Sequence, residues 1–417
     1  MTDRLFVNAS QVVTCAGPAR ARRGDEMRDA GIQIQSAVAT QGDRIAAVGR
    51  DDELRRRFPR AEIVDCARGV LLPGLVDSHT HAIFGKPRYE EQEMRSAGRD
   101  YMDIARRGGG IHASVRDLRD RSEDDLVALA QPRLERLARY GTTTVEVKSG
   151  YGLTVDDELK SLRAIQRLAQ LVPMRLVPTF LGAHEIPLEA RGTPEGRADY
   201  VHLIVKEMIP RVVAGGLARF ADVFCEPGVF TVDESRTVLS AARAAGLRLK
   251  LHADELRPSG GAELAAALGA TSADHLAAIS DAGIRALASS ATVATLLPGT
   301  MLFLGKERHA PARALIDGGA AVALATDFNP GTSPTPNFPL MLAIAVSQLR
   351  LSVSEAILAA TVNGAAALDL AHETGQLAEG FSADLALFDV DDVREIPYWY
   401  GDRRCRATWV RGVTCAA

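Results

Sequence analysis

PGLVDSHTH, residues 73–81, is a short apolar run that opens on a Pro-Gly turn and ends in two histidines separated by one residue. Along an extended strand, residues i and i+2 face the same side, so His79 and His81 can present both rings to one ion. Imidazole nitrogen suits zinc, iron or manganese. Alone, the pair is weak evidence, because a surface H-x-H needs no function. The fold is decided by the recurrence of the same form: short apolar, β-branched runs at 75–79, 143–148, 176–180, 221–225, 248–253, 272–275, 292–296 and 322–326. Between them lie helical patterns, several opened by a capping sequence of the form [ST]-x-x-[DE]: Ser122 with Asp125, Thr154 with Asp157, Thr231 with Glu234 and Ser352 with Glu355. Strands alternating with helices imply parallel β-α units, and eight such strands complete a (β/α)8 TIM-like barrel. A doubly wound open sheet is the competitor, but no G-x-G-x-x-G follows the first strand.

Outside the barrel the rhythm changes to period-two alternation, at 5–15, 32–39 and 44–48 near the start and at 385–390 and 407–413 near the end. These ends are expected to form one small β-sandwich domain from both chain termini, residues 1–72 with 375–417, around a barrel of residues 73–374. Residues 17–30, with their arginine cluster, match neither rhythm. Residues 327–339, rich in Pro, Gly, Thr and Asn, follow the eighth strand directly. Barrels carry their active sites on such loops, so this one is a candidate substrate clamp.

The 417 residues, 47% apolar and 24% charged with a net charge of −4, describe a globular chain with no electrostatic case for nucleic acid or an anionic membrane. The five cysteines (Cys15, Cys66, Cys225, Cys405, Cys415) are odd in number and never spaced C-x-x-C, which argues against a disulfide framework or a cysteine zinc knuckle. The start of the chain lacks a signal-peptide pattern, and the apolar run at 340–346 is too short to span a bilayer. A cytoplasmic protein is expected, with no membrane or nucleic-acid partner, and a homodimer is left open.

Further candidates sit at other strand ends: His252 at the fifth, His275 at the sixth and Asp327 at the eighth. In a barrel these ends converge on one mouth. Histidines and a carboxylate with room for water describe an open, catalytic metal site, where a bound divalent ion brings the pKa of its water towards roughly 7. No G-x-S-x-G elbow or reactive-cysteine motif competes as the source of a nucleophile. His112, His202, His309 and His372 fall in helical or loop context and are read as structural or surface residues.

PGLVDSHTH, with these strand ends, resembles the amidohydrolase superfamily. More specific strings resemble the imidazolonepropionase family, the ring-opening enzymes of histidine breakdown. They are HAIFGKPRYEEQEMRSAGRDYMDIARRGGGI (81–111), EVKSGYGL (146–153), PTFLGAHEIP (178–187), DVFCE (222–226), HADEL (252–256), SADHL (272–276) and ATDFNPGTSP (325–334). The resemblance implies hydrolysis of a C–N bond in 4-imidazolone-5-propanoate to give N-formimino-L-glutamate. It also implies one divalent metal, zinc or iron, on His79, His81, His252 and Asp327. Catalytic roles fall to Glu255, His275 and Asp327, with His275 beside the metal, although the residues alone leave His275 open as a fifth ligand. The implied substrate contacts are Arg88, Tyr151, His184, Glu255, Asn329, Gly331 and Thr332.

These assignments suit a flat polar ring with a carboxylate tail. Arg88 can pair with the carboxylate bidentately. Against each stands a plainer reading: a solvated arginine, a packed barrel-mouth tyrosine, a capping histidine, and in Asn329 a turn residue before Pro330. Lys148 ends the second strand, where a carbamylated lysine could bridge two metals; a structural lysine is favoured. Glu226 has an open role, orienting either a ligand or that lysine. A deaminase of cyclic amidines is the nearest alternative, disfavoured because a neutral base offers Arg88 no carboxylate. A catalytically dead barrel is the alternative of another class, and no ligand is missing to support it.

Overall fold

The computed structural model describes residues 3–99 and 109–416. Eighteen strands fall into three sheets. Seven precede the barrel: β1 (Arg4–Val7), β2 (Gln11–Val13), β3 (Ile32–Gln33), β4 (Ser36–Gln41), β5 (Arg44–Arg50), β6 (Glu62–Asp65) and β7 (Val70–Pro73). Three close the chain: β16 (Leu385–Phe388), β17 (Cys405–Val410) and β18 (Val413–Ala416). They build a four-stranded sheet, β5-β4-β1-β6, and a six-stranded sheet, β18-β17-β16-β7-β2-β3. Phe6, Val38 and Ile45 of the first share a core with Val12, Leu71, Leu385 and Trp409 of the second. Phe6 meets Trp409 edge to face, with ring centroids 4.9 Å apart. This is the sandwich expected from the two ends.

Two runs expected as single strands are each divided. Residues 5–15 break at Asn8 and residues 32–39 at Gln35, both with positive φ (57° and 53°). The reason is topological: β1 and β4 belong to one sheet, β2 and β3 to the other, so the chain turns a corner at each break. The arginine-rich stretch between them forms a short 3-10 helix, Gly24–Arg28, that buries Met27.

The third sheet is the barrel: β8 (Leu75–Asp77), β9 (Thr142–Lys148), β10 (Arg175–Ala183), β11 (Phe220–Cys225), β12 (Arg248–Ala253), β13 (Ser272–His275), β14 (Val293–Leu296) and β15 (Val322–Leu324), paired in sequence order. Pairing is parallel throughout. The chain passes from sandwich to barrel at Gly74, where a Cβ would lie 2.1 Å from Thr143 Oγ1, so the Pro-Gly turn permits a close approach no side chain would. The four capping sequences each open a helix, with the Ser or Thr side chain accepting the N–H three residues on.

The seam between first and last strands is joined just past their ends. Thr80 and Phe328 form a parallel bridge. The Asp327 N–H donates to His79 O (3.1 Å), and the His81 N–H to Phe328 O (2.8 Å). β8 and β15 are therefore shorter than the runs at 75–79 and 322–326 suggest, and His79, His81 and Asp327 stand on loops stitched to one another.

Candidate metal centre and catalytic pocket

Three imidazole nitrogens and a carboxylate oxygen converge at the barrel mouth. His79 Nε2 lies 3.3 Å from His81 Nε2, which lies 3.4 Å from His252 Nε2. Asp327 Oδ1 is 3.6 Å from Nε2 of both His79 and His81. All four side chains are buried. A tetrahedral ion with bonds of about 2.0–2.1 Å holds its ligand nitrogens about 3.3–3.4 Å apart, the spacing found here. The carboxylates behind the rings support the same reading. His79 Nδ1 hydrogen-bonds to Asp274 Oδ2 at 2.6 Å, which places its proton on Nδ1 and a lone pair on Nε2, and Asp222 Oδ2 stands 3.0 Å from His252 Nδ1 as its charge partner. Lone pairs and a carboxylate facing one another inside a protein demand a cation. The donor set fits a divalent metal ion.

Burial drives the imidazole pKa values of His79, His81 and His275 well below the usual value, so these rings are neutral, as ligands must be. Burial also lifts Asp327 to about 6, against the Thr300 hydroxyl, which donates to Asp327 Oδ2 at 2.6 Å. His275 faces the same space, with its Nε2 3.6 Å from Glu255 Oε2. Burial raises the Glu255 carboxyl to about 8, helped by the negative charges of Asp327 and Glu226. His275 (φ 79°) and Asp327 (φ 52°) both hold left-handed backbone, strain of a kind that gathers at functional sites.

The other residues singled out by sequence gather around this centre. His184 stacks on His81 (5.0 Å, 15° between planes), and Tyr151 lies 5.3 Å from His184 and 5.9 Å from His81 between ring centroids. His184 Nδ1 donates to Gly150 O at 2.9 Å, and burial lowers its pKa to about 3. Arg88 precedes the helix Tyr89–Ser96, with its N–H donating to Pro330 O and its guanidinium packed against Gly331. Asn329 is turned inward on its own loop: Oδ1 accepts the N–H groups of Gly331 (2.8 Å) and Thr332 (2.7 Å), and Nδ2 donates to Asp327 O (2.7 Å). Asn329 and the Gly331 and Thr332 amides thus set the shape of the wall that meets Arg88.

Several further residues hold the site in place, most of them buried carboxylates; of these, sequence reasoning singled out Glu226, with its role open, and Lys148, as a structural lysine. Glu158 accepts the N–H groups of Gly150, Gly152 (2.8 Å) and Leu153 (2.9 Å), wrapping the Tyr151 loop around one side chain. Glu226 accepts those of Glu255 (3.2 Å), Leu256 (3.3 Å) and Arg257 (2.9 Å), so it clamps the turn that carries Glu255. Glu91 lies 3.4 Å from Arg88 Nε and accepts the Gly110 N–H at 2.7 Å. Asp77 accepts both the N–H (3.0 Å) and the hydroxyl (2.6 Å) of Thr326, one residue before Asp327. A signal existed for part of this set: Glu146 and Lys148 are two charges on one face of a barrel strand, and such charges must be paired inside. Lys148 Nζ donates to Glu146 Oε1 (2.9 Å) and Asp222 Oδ2 (2.7 Å). Burial disfavours its charge, but Asp222, Glu146 and Asp274 outweigh that and hold its pKa above the ordinary value. That arrangement is an ammonium ion, not the free amine that carbamylation requires.

The chain is similar to known proteins along its length. The model of the amidohydrolase family matches residues 95–416, and that of the imidazolonepropionase-like composite domain of bacteria matches residues 37–61. The imidazolonepropionase of Geobacillus kaustophilus is 47% identical over 403 residues, covering 95% of this chain and 94% of that protein. That of Solibacter usitatus is 43% identical over 413 residues, covering 99% and 98%. The chain belongs to the imidazolonepropionase family. It is therefore a hydrolase, and the family's place in histidine degradation is its own. Solved structures share the fold alone: an E. coli guanine deaminase (TM-score 0.75, 16% identity, 99% of each chain) and a zinc-bound adenosine deaminase of Xanthomonas campestris (TM-score 0.73, 18% identity, 99% of this chain and 92% of that one). Among the described residues no helix is long and apolar enough to cross a membrane.

Proposed function

We propose that this pocket binds 4-imidazolone-5-propanoate with its ring carbonyl at the metal centre and its propionate at Arg88, and opens the ring to N-formimino-L-glutamate. The observation that carries the assignment is the pairing, in one mouth, of a three-histidine, one-carboxylate centre with a half-buried arginine on the wall beside it. A cyclic amide with a carboxylate tail matches both poles. A neutral cyclic amidine would match only the first.

His79, His81, His252 and Asp327 would hold the ion, and imidazole with carboxylate suits either zinc or iron. When bound, the ion supplies a Lewis acid that polarises the carbonyl and acidifies water. The protein's own groups do the rest. Glu255, clamped by Glu226, takes a proton from the attacking water. His275 Nε2 stands beside the carbonyl and stabilises charge that develops on its oxygen. As the C–N bond breaks, Asp327 or Glu255 returns a proton to the departing ring nitrogen. Tyr151 and His184, the latter stacked on His81, wall the ring's side of the pocket, while the loop held by Asn329 with Gly331 and Thr332 keeps Arg88 aimed at the tail. Reduced cysteines support work in the cytoplasm: the described thiols form no disulfide, and burial pushes Cys15, Cys66 and Cys405 up to about 12.

The test is the ultraviolet absorbance of imidazolone propanoate incubated with purified, metal-analysed protein. Loss of the ring chromophore, with formimino-glutamate as product, is expected; Asp327→Ala abolishes it and Arg88→Ala weakens it. A metal-loaded protein that leaves the chromophore intact refutes the substrate assignment.

A further inference from the structure

Beneath the metal centre the barrel encloses five charged side chains that the reaction does not touch: Glu146, Lys148, Asp222, Lys250 and Asp274, each at most 1% exposed. They come from four strands, β9 and, across β10, the consecutive β11, β12 and β13. Two of the carboxylates reach upward to ligand imidazoles. Asp274 Oδ2 is 2.6 Å from His79 Nδ1, and Asp222 Oδ2 is 3.0 Å from His252 Nδ1. Asp222 is held at its other oxygen by the His252 N–H (3.2 Å). What these carboxylates share is Lys148. Its Nζ lies 2.7 Å from Asp222 Oδ2 and 3.9 Å from Asp274 Oδ2. Lys250 is the nearer cation to Asp274, 3.5 Å from both Asp274 Oδ2 and Glu146 Oε1, and donates one of its three N–H groups to Ser78 O at 2.8 Å, whereas Asp222 has Lys148 as its ammonium partner.

We propose that Lys148 is a positioning residue for the metal ligands, an ammonium tie that fixes the two carboxylates which orient His252 and His79. The charges argue for it. Three carboxylates against two lysines leave one negative charge in a dry barrel. Without Lys148 the Asp222 oxygen that faces His252 Nδ1 loses its 2.7 Å donor, and a carboxylate held only by the His252 N–H on its other oxygen is free to turn away from the ring it orients. Lys148 therefore acts on the metal through two shared oxygens without touching it. The inference rests on the metal site and is independent of which substrate enters the mouth.

The experiment is a double-mutant cycle on zinc affinity of the full chain, measured by competition with a chromophoric chelator, using Lys148→Met, Asp222→Asn and the pair. Each single variant is expected to bind zinc about 10- to 100-fold more weakly, the loss typical of removing a partner behind a ligand histidine. The double variant should bind no more weakly than the worse single, because both changes cut the same tie. Zinc affinity of Lys148→Met within twofold of the parent overturns the proposal, as do losses that simply add. If Lys148→Met does not fold, Lys148→Gln replaces it in the cycle: zinc affinity within twofold of the parent overturns the tie, and a 10- to 100-fold loss that does not add to that of Asp222→Asn sustains it.

Discussion

Replacing Gly331 with alanine should cripple recognition of the substrate's carboxylate while leaving the fold intact. A Cβ at this position would sit 1.3 Å from Arg88 Nη2 and 2.2 Å from its Cζ. Ordinary heavy-atom contacts lie at about 3.5–4.0 Å, so the guanidinium has to withdraw by about 2 Å. That exceeds the whole span of useful N–H···O distances, about 2.7–3.2 Å. One hydrogen bond to a charged group contributes about 1.5–3 kcal/mol, so losing one of the pair lowers kcat/KM roughly 10- to 150-fold. The backbone at Gly331 lies outside the left-handed region, and the atom in the way is the end of a flexible side chain, so the melting temperature should hold. The assay is kcat/KM by loss of ring absorbance, with Arg88→Ala and the double variant alongside. The double variant should be no worse than Arg88→Ala, because displacing the arginine twice costs nothing more. A Gly331→Ala enzyme with unchanged kcat/KM refutes the assignment of Arg88 to the tail.

Four other outcomes follow from the site. Glu158→Gln keeps shape but turns an amide towards N–H groups of the Tyr151 loop; with at least one charged hydrogen bond lost, stability should fall by about 1.5–3 kcal/mol in denaturant titration, with KM rising more than kcat falls. Glu255 works as a base only without its proton, so kcat/KM should climb with pH on a limb governed by its raised carboxyl, about 8 in the metal-free protein. Because the charge of Glu226 helps to raise that carboxyl, Glu226→Gln should move the limb to lower pH; a limb that stays in place or moves up would count against Glu255 as the base. As a proposed ligand Asp327 must be ionised, so zinc affinity in chelator competition should begin to fall as pH drops below about 6, and Thr300→Val, which removes a hydroxyl holding that pKa down, should move the onset to higher pH.

Much of the fold was legible because a barrel strand writes its burial directly into sequence: each is a short apolar run, and the capping sequences between them have no reading but helix starts. The two misread runs in the sandwich show where this stops. Burial changes abruptly at both corners, from buried at 5–7 to exposed at Asn8 and from exposed at 32–35 to buried at 36–39, but apolar and β-forming residues stand on each side, so the residue types do not announce the change of sheet. The proposed metal ligands stood out in the sequence as histidines and an aspartate at strand ends, and family resemblance supplied Arg88, Tyr151 and His184. The carboxylates beneath and behind them were not. Glu158 and Glu226 act on backbone amides several residues or a whole strand away, contacts with no sequence spacing to recognise. Asn329 carried a clear signal, a turn residue before proline, and that plainer reading describes what its side chain does to the loop.

The clasp between β8 and β15 has a consequence for how the protein is made. His79 and His81 leave the ribosome early, but Asp327 and Phe328, which complete the ring beside them, come only after most of the barrel has been synthesised. At about 5–20 residues per second the first strand waits roughly ten to fifty seconds with its outer edge unpaired. No ion can be held in its final geometry during that interval. Metal capture is therefore a late event, available only to chains whose last strand has arrived, and a loaded centre certifies a finished barrel.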